Sequence, residues 1–146
     1  QWWWAYDEER VLVSRNSGLD WEDVPTNLPI NVSHCSLAVD HQGNCWLGTS
    51  KGLCLAVASG GFERVALPER KVRRLWVVGQ DLLAATAYSV FHCGPSQDWQ
   101  ECWSSGSSML DELVVKDSKI FALADRAVYQ LGYFKANEEE EGSLVA

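Results

Sequence analysis

Four windows of the chain share one pattern of apolar and polar positions. Each has an apolar run, a short polar or small-residue turn and a second apolar run, which predicts two strands joined as a β-hairpin. The windows read WAYDEERVLV, WLGTSKGLCL, LAATAYSVFH and FALADRAVYQ, and they cover residues 4–13, 46–55, 83–92 and 121–130. Their spacing predicts a repeat of about 40 residues that is built from short strands.

Two further strands flank each hairpin. Segments led by an aromatic residue predict outer strands at 21–24, 62–65 and 99–102. Apolar runs that end at a turn residue predict the inner strands of the following units at 36–39, 75–78 and 113–115. Because a helical period is nowhere sustained over eleven residues, the whole chain is predicted to be β-structure.

Units of four antiparallel strands that recur in this way predict the blades of a β-propeller, which hide their apolar faces by stacking on one another. We expect about 3.5 to 4 blades in residues 1–136, and an acidic linker, tail or closing strand in residues 137–146. The first unit lacks an inner strand. Either residues 142–146 supply it in a compact four-bladed ring, or the chain, which begins at Gln1, is a run of blades from a larger propeller. We favour the second arrangement.

The charge balance narrows the classes of partner. The chain of 146 residues is 47% hydrophobic with eight tryptophans, and it carries 20 acidic against 12 basic residues for a net charge of −8. A field of this sign repels phosphate backbones and anionic lipids, so nucleic acid and direct membrane insertion are not expected. The glutamate run at 138–141 fits a solvated tail or linker.

Cysteine usage bears on the compartment. The five cysteines are odd in number and form no C-x-x-C pair, so neither a complete disulfide framework nor a zinc site is expected. Cysteines on apolar strand patterns behave as small buried hydrophobes, and they favour a reducing, cytoplasmic compartment. The sequon Asn31-Val32-Ser33 points instead to an extracellular protein.

The turn after the first hairpin resembles an Asp-box. Its residues Ser14, Asn16, Gly18 and Trp21 match S-x-D-x-G-x-x-W, with asparagine in place of the aspartate. That motif recurs in the propellers of sialidases, sortilin-type receptors and photosystem assembly factors. The resemblance implies a structural role, in which polar side chains satisfy backbone donors and the tryptophan packs between sheets.

The second repeat resembles two other propeller families. Residues 37–53 carry an apolar strand, then D-x-x-G-x-x-W-x-G-T and G-L, which is similar to the repeats of bacterial sensor propellers. The same unit is similar to tectonin-type repeats, which occur in lectins and in membrane-trafficking or autophagy scaffolds. These resemblances imply a propeller that binds a protein or a sugar.

No arrangement of residues indicates catalysis. The seven arginines do not recur at equivalent inner-strand positions, as a shared central site would require, and the three histidines have no recurring partner spacing. Metalloprotease and nucleophile-elbow motifs are lacking, and the glycine-rich stretches lack the lysine and helix of a phosphate cradle. We therefore expect no catalytic residue, metal or cofactor, and a protein that is not an enzyme.

Two features are candidates for recognition. The first is Trp2 and Trp3, which with Trp4 place aromatic rings on both faces of one strand; alternatively, all three pack between blades. The second is the basic cluster Arg70, Lys71, Arg73 and Arg74; alternatively, it is a solvated loop. The predicted function is a scaffold segment that binds a protein partner in an intracellular assembly, the partner including the rest of its own propeller. A tectonin-like carbohydrate-binding propeller is the alternative, and an Asp-box glycosidase is less favoured.

Overall fold

The computed structural model describes residues 1–65, 67, 71–94, 98–117 and 119–131, together with the backbone of 143–145. Within these ranges the chain forms fifteen strands and no helix. The strands are β1 Trp3–Tyr6, β2 Val11–Ser14, β3 Glu22–Asp23, β4 His34–Val39, β5 Cys45–Thr49, β6 Gly52–Ala56, β7 Phe62–Arg64, β8 Arg74–Val78, β9 Asp81–Ala85, β10 Ser89–Cys93, β11 Trp99–Ser104, β12 Leu110–Lys116, β13 Lys119–Ala124, β14 Ala127–Leu131 and β15 Ser143–Val145.

The strands form four antiparallel sheets in which chain neighbours are sheet neighbours. The sheets are β1–β3, β4–β7, β8–β11 and β12–β15, so three sheets have four strands and the first has three. All four predicted hairpins are present, as β1–β2, β5–β6, β9–β10 and β13–β14. The predicted all-β class with repeated antiparallel units is confirmed. The chain divides into two compact units, Gln1–Leu75 and Trp76–Ala146.

The core of the first unit lies between its two sheets. Val11 of β2 is buried against residues of β5, β6 and β7, and Trp4, Val24, Leu28, Leu37 and Ala56 pack at the edge of this cluster. In β5 all five residues are buried, which means that both faces of the strand are covered. Such a strand needs small residues where its neighbours come close. A methyl group added to Gly48 would lie 2.9 Å from Val72 Cγ1 and 3.0 Å from the Val72 carbonyl oxygen, which is too close for a normal contact.

The second unit has its own core, built in the same way. Leu83, Ala85 and Val90 pack with Leu110, Leu113, Ile120, Ala122 and Leu131. All five residues of β9 are buried, as in β5. The alanines of β9 and β13, which are Ala84, Ala85, Ala122 and Ala124, are at most 2% exposed. Close packing on both faces therefore outweighs their weak intrinsic strand preference.

The turn between β4 and β5 is held by one carboxylate. Asp40 Oδ1 accepts hydrogen bonds from the backbone N–H groups of Gln42 and Asn44, both at 2.9 Å. Its Oδ2 accepts from Asn44 Nδ2 and from the indole Nε1 of Trp46, both at 3.0 Å. Gly43 completes the turn with a φ of 84°, a conformation that favours glycine. Partial burial raises the pKa of Asp40, but the hydrogen bonds from Trp46, Asn44 and Gln42 lower it by more, so the pKa lies below its usual value.

The inner strands begin earlier than the sequence pattern predicts. β4 starts at His34 and β12 at Leu110, whereas the apolar runs begin at residues 36 and 113. Both strands contain an irregularity in register, between His34 and Ser36 and between Leu110 and Glu112. A β-bulge shifts the alternation of side chains, so the residues before it do not continue the pattern that identifies the strand.

The C-terminal strand pairs within its own sheet. β15 pairs antiparallel with β14, and Tyr129 lies opposite Leu144. The compact four-bladed alternative required residues 142–146 to pair beside β1 in the first sheet. Instead, β15 pairs with the edge of β14 and is the fourth strand of the last sheet. The glutamates at 138–141 lie outside the described residues.

Replacing Asp40 with asparagine is expected to destabilise the protein. An amide group at the Oδ2 position would face two donors, and the loss of two hydrogen bonds costs about 2 kcal/mol of unfolding free energy at neutral pH. Because the pKa of Asp40 is lowered on folding, this stabilisation is complete above about pH 4 and is lost as the pH falls through the folded pKa. Urea unfolding from pH 7 to pH 3 should show the difference between the two proteins narrowing. Asp117→Asn, in the exposed turn between β12 and β13, is the matched control, and a constant difference would contradict this account of Asp40.

A methyl group at Gly48 is expected to cost about 1–3 kcal/mol of unfolding free energy, because it would overlap Val72 in a close-packed core. Val72→Ala alone removes buried methyl groups and is also destabilising. In the double variant Gly48→Ala/Val72→Ala the overlap with Cγ1 is gone, so the double variant should be more stable than the sum of the two single losses predicts. Additive losses in a urea-unfolding cycle would show that the contact is not responsible.

Candidate functional site

Large aromatic side chains are exposed on and beside the first sheet. Trp2 is 58% exposed, Trp3 46%, Tyr6 43% and Trp21 42%. We call these four residues the aromatic surface. Trp2 and Trp3 had been proposed from the sequence, while Tyr6 and Trp21 had not been assigned to a binding surface. The alternating pattern of β1 could have indicated Tyr6, because Trp2, Trp4 and Tyr6 share one face of a strand.

Trp2 is oriented by its neighbours on the sheet. Its ring centroid lies 6.5 Å from that of Trp4, with the two planes tilted by 51°. The guanidinium carbon of Arg15 lies 5.1 Å from the Trp2 centroid, which is within the range of a cation–π contact. Arg15 Nη1 also donates to Glu22 Oε2 at 2.7 Å, so the guanidinium contacts both the ring and a carboxylate. A tryptophan that already has contacts on its ring loses less conformational entropy when a partner covers it than one that has none.

Trp3 lies against the turn that resembles an Asp-box. Added to Gly18, a methyl group would stand 2.7 Å from Cζ3 of the Trp3 ring, and Gly18 itself has a φ of 89°. Glycine is thus required here both for the backbone conformation and for the close approach of the ring. The alternative in which the three N-terminal tryptophans are all packed away fits Trp4 only, since Trp4 contacts the core and the other two are exposed.

Hydrogen bonds of the same turn join the four Asp-box-like residues. The buried Ser14 Oγ accepts from the backbone N–H of Gly18 at 2.8 Å and donates to Asn16 Oδ1 at 3.0 Å. Asn16 Oδ1 also accepts from the N–H of Asp20 at 2.8 Å, and Trp21 Nε1 donates to the Gly18 carbonyl at 3.2 Å. The asparagine thus supplies the acceptor that the motif has as aspartate. Trp21, expected between sheets, is instead partly exposed, because its indole N–H is bound to its own turn.

The basic cluster lies on the segment that enters β8. Lys71, Arg73 and Arg74 are exposed, whereas Val72 between them is buried and its N–H donates to Thr49 O at 2.9 Å. Arg70 lies outside the described residues. The buried valine and its hydrogen bond anchor the segment and direct the basic side chains to its outer side.

Cys35 lies near both the basic cluster and the first hairpin, since the charges of Lys71 and Glu8 both act on its thiol. Burial raises the pKa of the Cys35 thiol, the charge of Lys71 lowers it and that of Glu8 raises it. The Tyr6 hydroxyl donates to the Cys35 carbonyl at 3.3 Å. His34, next in the chain, donates its backbone N–H to Glu8 O at 3.0 Å. One residue of the basic cluster and one of the aromatic surface are therefore both close to the start of β4.

Burial disfavours the reactive thiolate at four of the five cysteines, including Cys35. All five lie within the described residues and none is joined in a disulfide. Burial raises the pKa of Cys45 and of Cys102 to about 12 and also raises that of Cys54. Since the thiolate is the reactive form, these thiols are protonated and unreactive at neutral pH.

A carboxylate–imidazole pair in the second unit was missed from the sequence. His92 Nε2 lies 3.2 Å from Asp81 Oδ1, and the two side chains are 20% and 10% exposed. They face each other across the β9–β10 hairpin, where a spacing of eleven residues gives no sequence signal. The described ranges hold no group of three metal-ligating side chains. No helix in those same ranges is long and apolar enough to cross a membrane.

Comparison with known proteins finds similarity in structure. No family model matches the chain, and no curated protein matches it by sequence. The extracellular domain of the hybrid two-component system BT4673 from B. thetaiotaomicron is similar with a TM-score of 0.74 and 18% identity, over 97% of this chain and 20% of that one. Virginiamycin B lyase from Staphylococcus aureus is similar with a TM-score of 0.61 and 11% identity, over 82% and 43% of the two chains. YCF48 from Cyanidioschyzon merolae has a TM-score of 0.59 at 13% identity, over 87% and 48%.

One of the earlier expectations is wrong in the light of these structures. We expected a protein that is not an enzyme, but virginiamycin B lyase is an enzyme with a similar structure. Lack of familiar motifs on this fold therefore does not exclude catalysis, although a likeness at 11% identity gives no positive indication of activity.

The expected cytoplasmic location gains no support from these structures, because the BT4673 domain is extracellular. The Asp-box and tectonin resemblances stay resemblances. The chain spans a fifth of the BT4673 domain and under half of the lyase and of YCF48. What the similarities establish is the fold, which is that of propeller-type β-repeats.

Proposed function

We propose that the chain is a propeller segment that binds a protein partner through the aromatic surface. The observation that carries this proposal is the exposure of Trp2, Trp3 and Trp21 on and beside the first sheet, with the Arg15 guanidinium over the Trp2 ring. Tryptophan, tyrosine and arginine are the residue types that dominate binding energy at protein interfaces. Trp3 and Trp21 both lie next to Gly18, and large exposed aromatic groups that are close together are uncommon on surfaces that stay in water.

Two further observations support a protein as the ligand. A propeller of similar structure, YCF48, has been seen bound to D1 peptide, with a TM-score of 0.57 to this chain. The acidic net charge disfavours nucleic acid and anionic lipid. We also propose that the chain works as part of a larger propeller, since it matches only 20% to 48% of the proteins of similar structure.

The aromatic surface is tested by comparing partner capture by variants. With the immobilised 146-residue chain as bait, Trp2→Ala and Trp3→Ala should each weaken capture of a specific partner by about tenfold or more. Tyr88→Ala is the matched control, because Tyr88 is an aromatic residue of similar exposure, 38%, in the second unit. Quantitative mass spectrometry of the captured proteins gives the readout. Equal loss in the control, or no loss in the tryptophan variants, would contradict the proposal.

A carbohydrate ligand is the alternative, because exposed indole rings also stack on sugar rings. A glycan array distinguishes the two. Binding of a defined glycan that disappears in Trp2→Ala and Trp3→Ala, together with no protein partner that depends on those residues, would favour a lectin-type function.

For the compartment, we propose a reducing environment, supported by five cysteines without a disulfide. The opposing feature is Asn31, which is exposed in a turn where the N–H of Val32 donates to Pro29 O at 3.1 Å. The intact mass of the protein from its natural source should show five reduced thiols and an unmodified Asn31. A glycan on Asn31, removed by Ser33→Ala, would place the protein in the secretory pathway instead.

A further inference from the structure

The second sheet, β4–β7, has a group of basic residues at one of its ends. At this end β5 turns into β6, β7 ends and the chain continues toward β8. Four exposed basic residues lie there, and we call them the basic end: Lys51, Arg64, Lys71 and Arg73. This sheet has all four of its strands, so the exposure of these residues is not the result of a missing strand.

A backbone hydrogen bond brings the segment before β8 to this end of the sheet. The N–H of Val72 donates to the carbonyl oxygen of Thr49, the last residue of β5, at 2.9 Å. Val72 is 1% exposed, whereas Lys71 and Arg73 on either side of it are exposed. The two basic residues therefore lie next to the β5–β6 turn.

The β5–β6 turn and β7 supply the other two basic residues. Lys51 is in this turn, and its N–H donates to Thr49 Oγ1 at 3.2 Å. Its carbonyl oxygen accepts a hydrogen bond at 2.7 Å from Nη2 of Arg64, the last residue of β7. This bond holds the Arg64 guanidinium beside the backbone of Lys51. Basic residues from the turn, from β7 and from the segment before β8 thus meet at one place.

Positive charge is in excess at the basic end. Among the residues that the structure describes, neither lysine of the basic end is in an ion pair, whereas both arginines of residues 1–24 are paired with carboxylates. Glu8 is close enough that its charge and that of Lys71 act in opposite directions on the Cys35 thiol. Even with Glu8 and the neighbouring Glu63, the four cationic residues outnumber the acids around them.

The fold does not require lysine at these positions. The hairpin windows of the first three repeats align without a gap, which places Glu9 and Tyr88 at the position of Lys51. Met109 holds the place of Lys71, because the residue after it likewise donates its backbone N–H to the turn of the preceding hairpin. An acidic, an aromatic and a thioether side chain are accommodated there, so packing does not account for the two lysines.

The size and sign of this surface indicate the kind of partner. The basic end is a small positive area on a protein of net charge −8. Nucleic acids and anionic membranes present phosphates over a wide area, and the rest of the surface repels them. A short acidic segment of a polypeptide can instead place its carboxylates on the basic end alone, and arginine and lysine both donate strong hydrogen bonds to carboxylates.

We propose that the basic end binds a short acidic segment of another polypeptide, whose glutamate or aspartate side chains pair with Lys51, Lys71 and Arg73. Arg64 supports the turn that carries Lys51. The proposal goes beyond the aromatic surface, because it assigns a second contact on a different sheet, shares no residue with that surface and specifies the chemistry of the segment that fits.

The test measures binding of a fluorescein-labelled peptide of glutamate–glycine repeats to the full chain by fluorescence anisotropy. Lys51→Glu/Lys71→Glu should weaken binding by about tenfold or more. Lys116→Glu/Lys119→Glu is the matched control, because these exposed lysines flank the β12–β13 turn and the change in net charge is the same. Lys51→Arg/Lys71→Arg keeps the positive charge and should keep the affinity.

Measurements on the unmodified protein keep the test decisive if a variant is unstable. In NMR spectra of the isotopically labelled chain, addition of the peptide should shift the amide signals of residues 49–52 and 71–74 and leave those of residues 116–119 unchanged. The affinity should fall as sodium chloride is added, because exposed charge pairs are screened by salt. A peptide of glutamine–glycine repeats should not bind.

Equal weakening in the two charge-reversal variants, equal affinity for the glutamate and glutamine peptides, or amide shifts confined to other residues would overturn the proposal. Binding of phosphatidylserine vesicles that depends on Lys51 and Lys71, without peptide binding, would also overturn it and identify an anionic lipid as the ligand. Self-association in sedimentation that Lys51→Glu/Lys71→Glu abolishes, without peptide binding, would overturn it in favour of a second copy of this chain.

Discussion

The structure depends on strands that are covered on both faces. In β5 and β9 every residue is buried, so each of these strands must bury side chains above and below its sheet while its neighbours complete the backbone hydrogen bonds. This constraint explains why alanine and glycine are found there in spite of their poor strand propensity. It also explains why each unit needs two sheets, since one sheet alone would leave an apolar face in water.

The pattern of apolar positions was sufficient to predict the hairpins, because each has a short polar turn between two buried runs. It was less informative for the inner strands β4 and β12, whose bulges interrupt the alternation near His34 and Leu110. The D-x-x-G-x-x-W pattern within residues 37–53 includes Asp40 and Trp46, but the hydrogen bond between them depends on how the β5 side chains are oriented, which spacing does not specify. The hydrogen bonds within a turn of this kind can be predicted only in part from the sequence.

The candidate site was predictable to a similar extent. Trp2 and Trp3 were recognised because three consecutive tryptophans cannot all face one side of a strand. Tyr6 and Arg15 were not, since the exposure of Tyr6 and the pairing of Arg15 with Glu22 appear only in the folded chain. The pair His92 and Asp81 likewise comes together only across a hairpin. The wrong inference about enzymatic activity has a general origin: a fold shared by binding proteins and enzymes does not exclude either role.

The indole of Trp46 has a consequence for how this protein can be observed. Trp46 is 3% exposed and bonded to a carboxylate, whereas Trp2 is 58% exposed beside a guanidinium. The two environments differ in polarity and in access to solvent, so their fluorescence should differ in wavelength and in sensitivity to aqueous quenchers. Because the chain has eight tryptophans, each of these two indoles reports separately only when the other seven are replaced. Trp46 then reports on the integrity of the interior and Trp2 on occupancy of the surface, and neither requires a label.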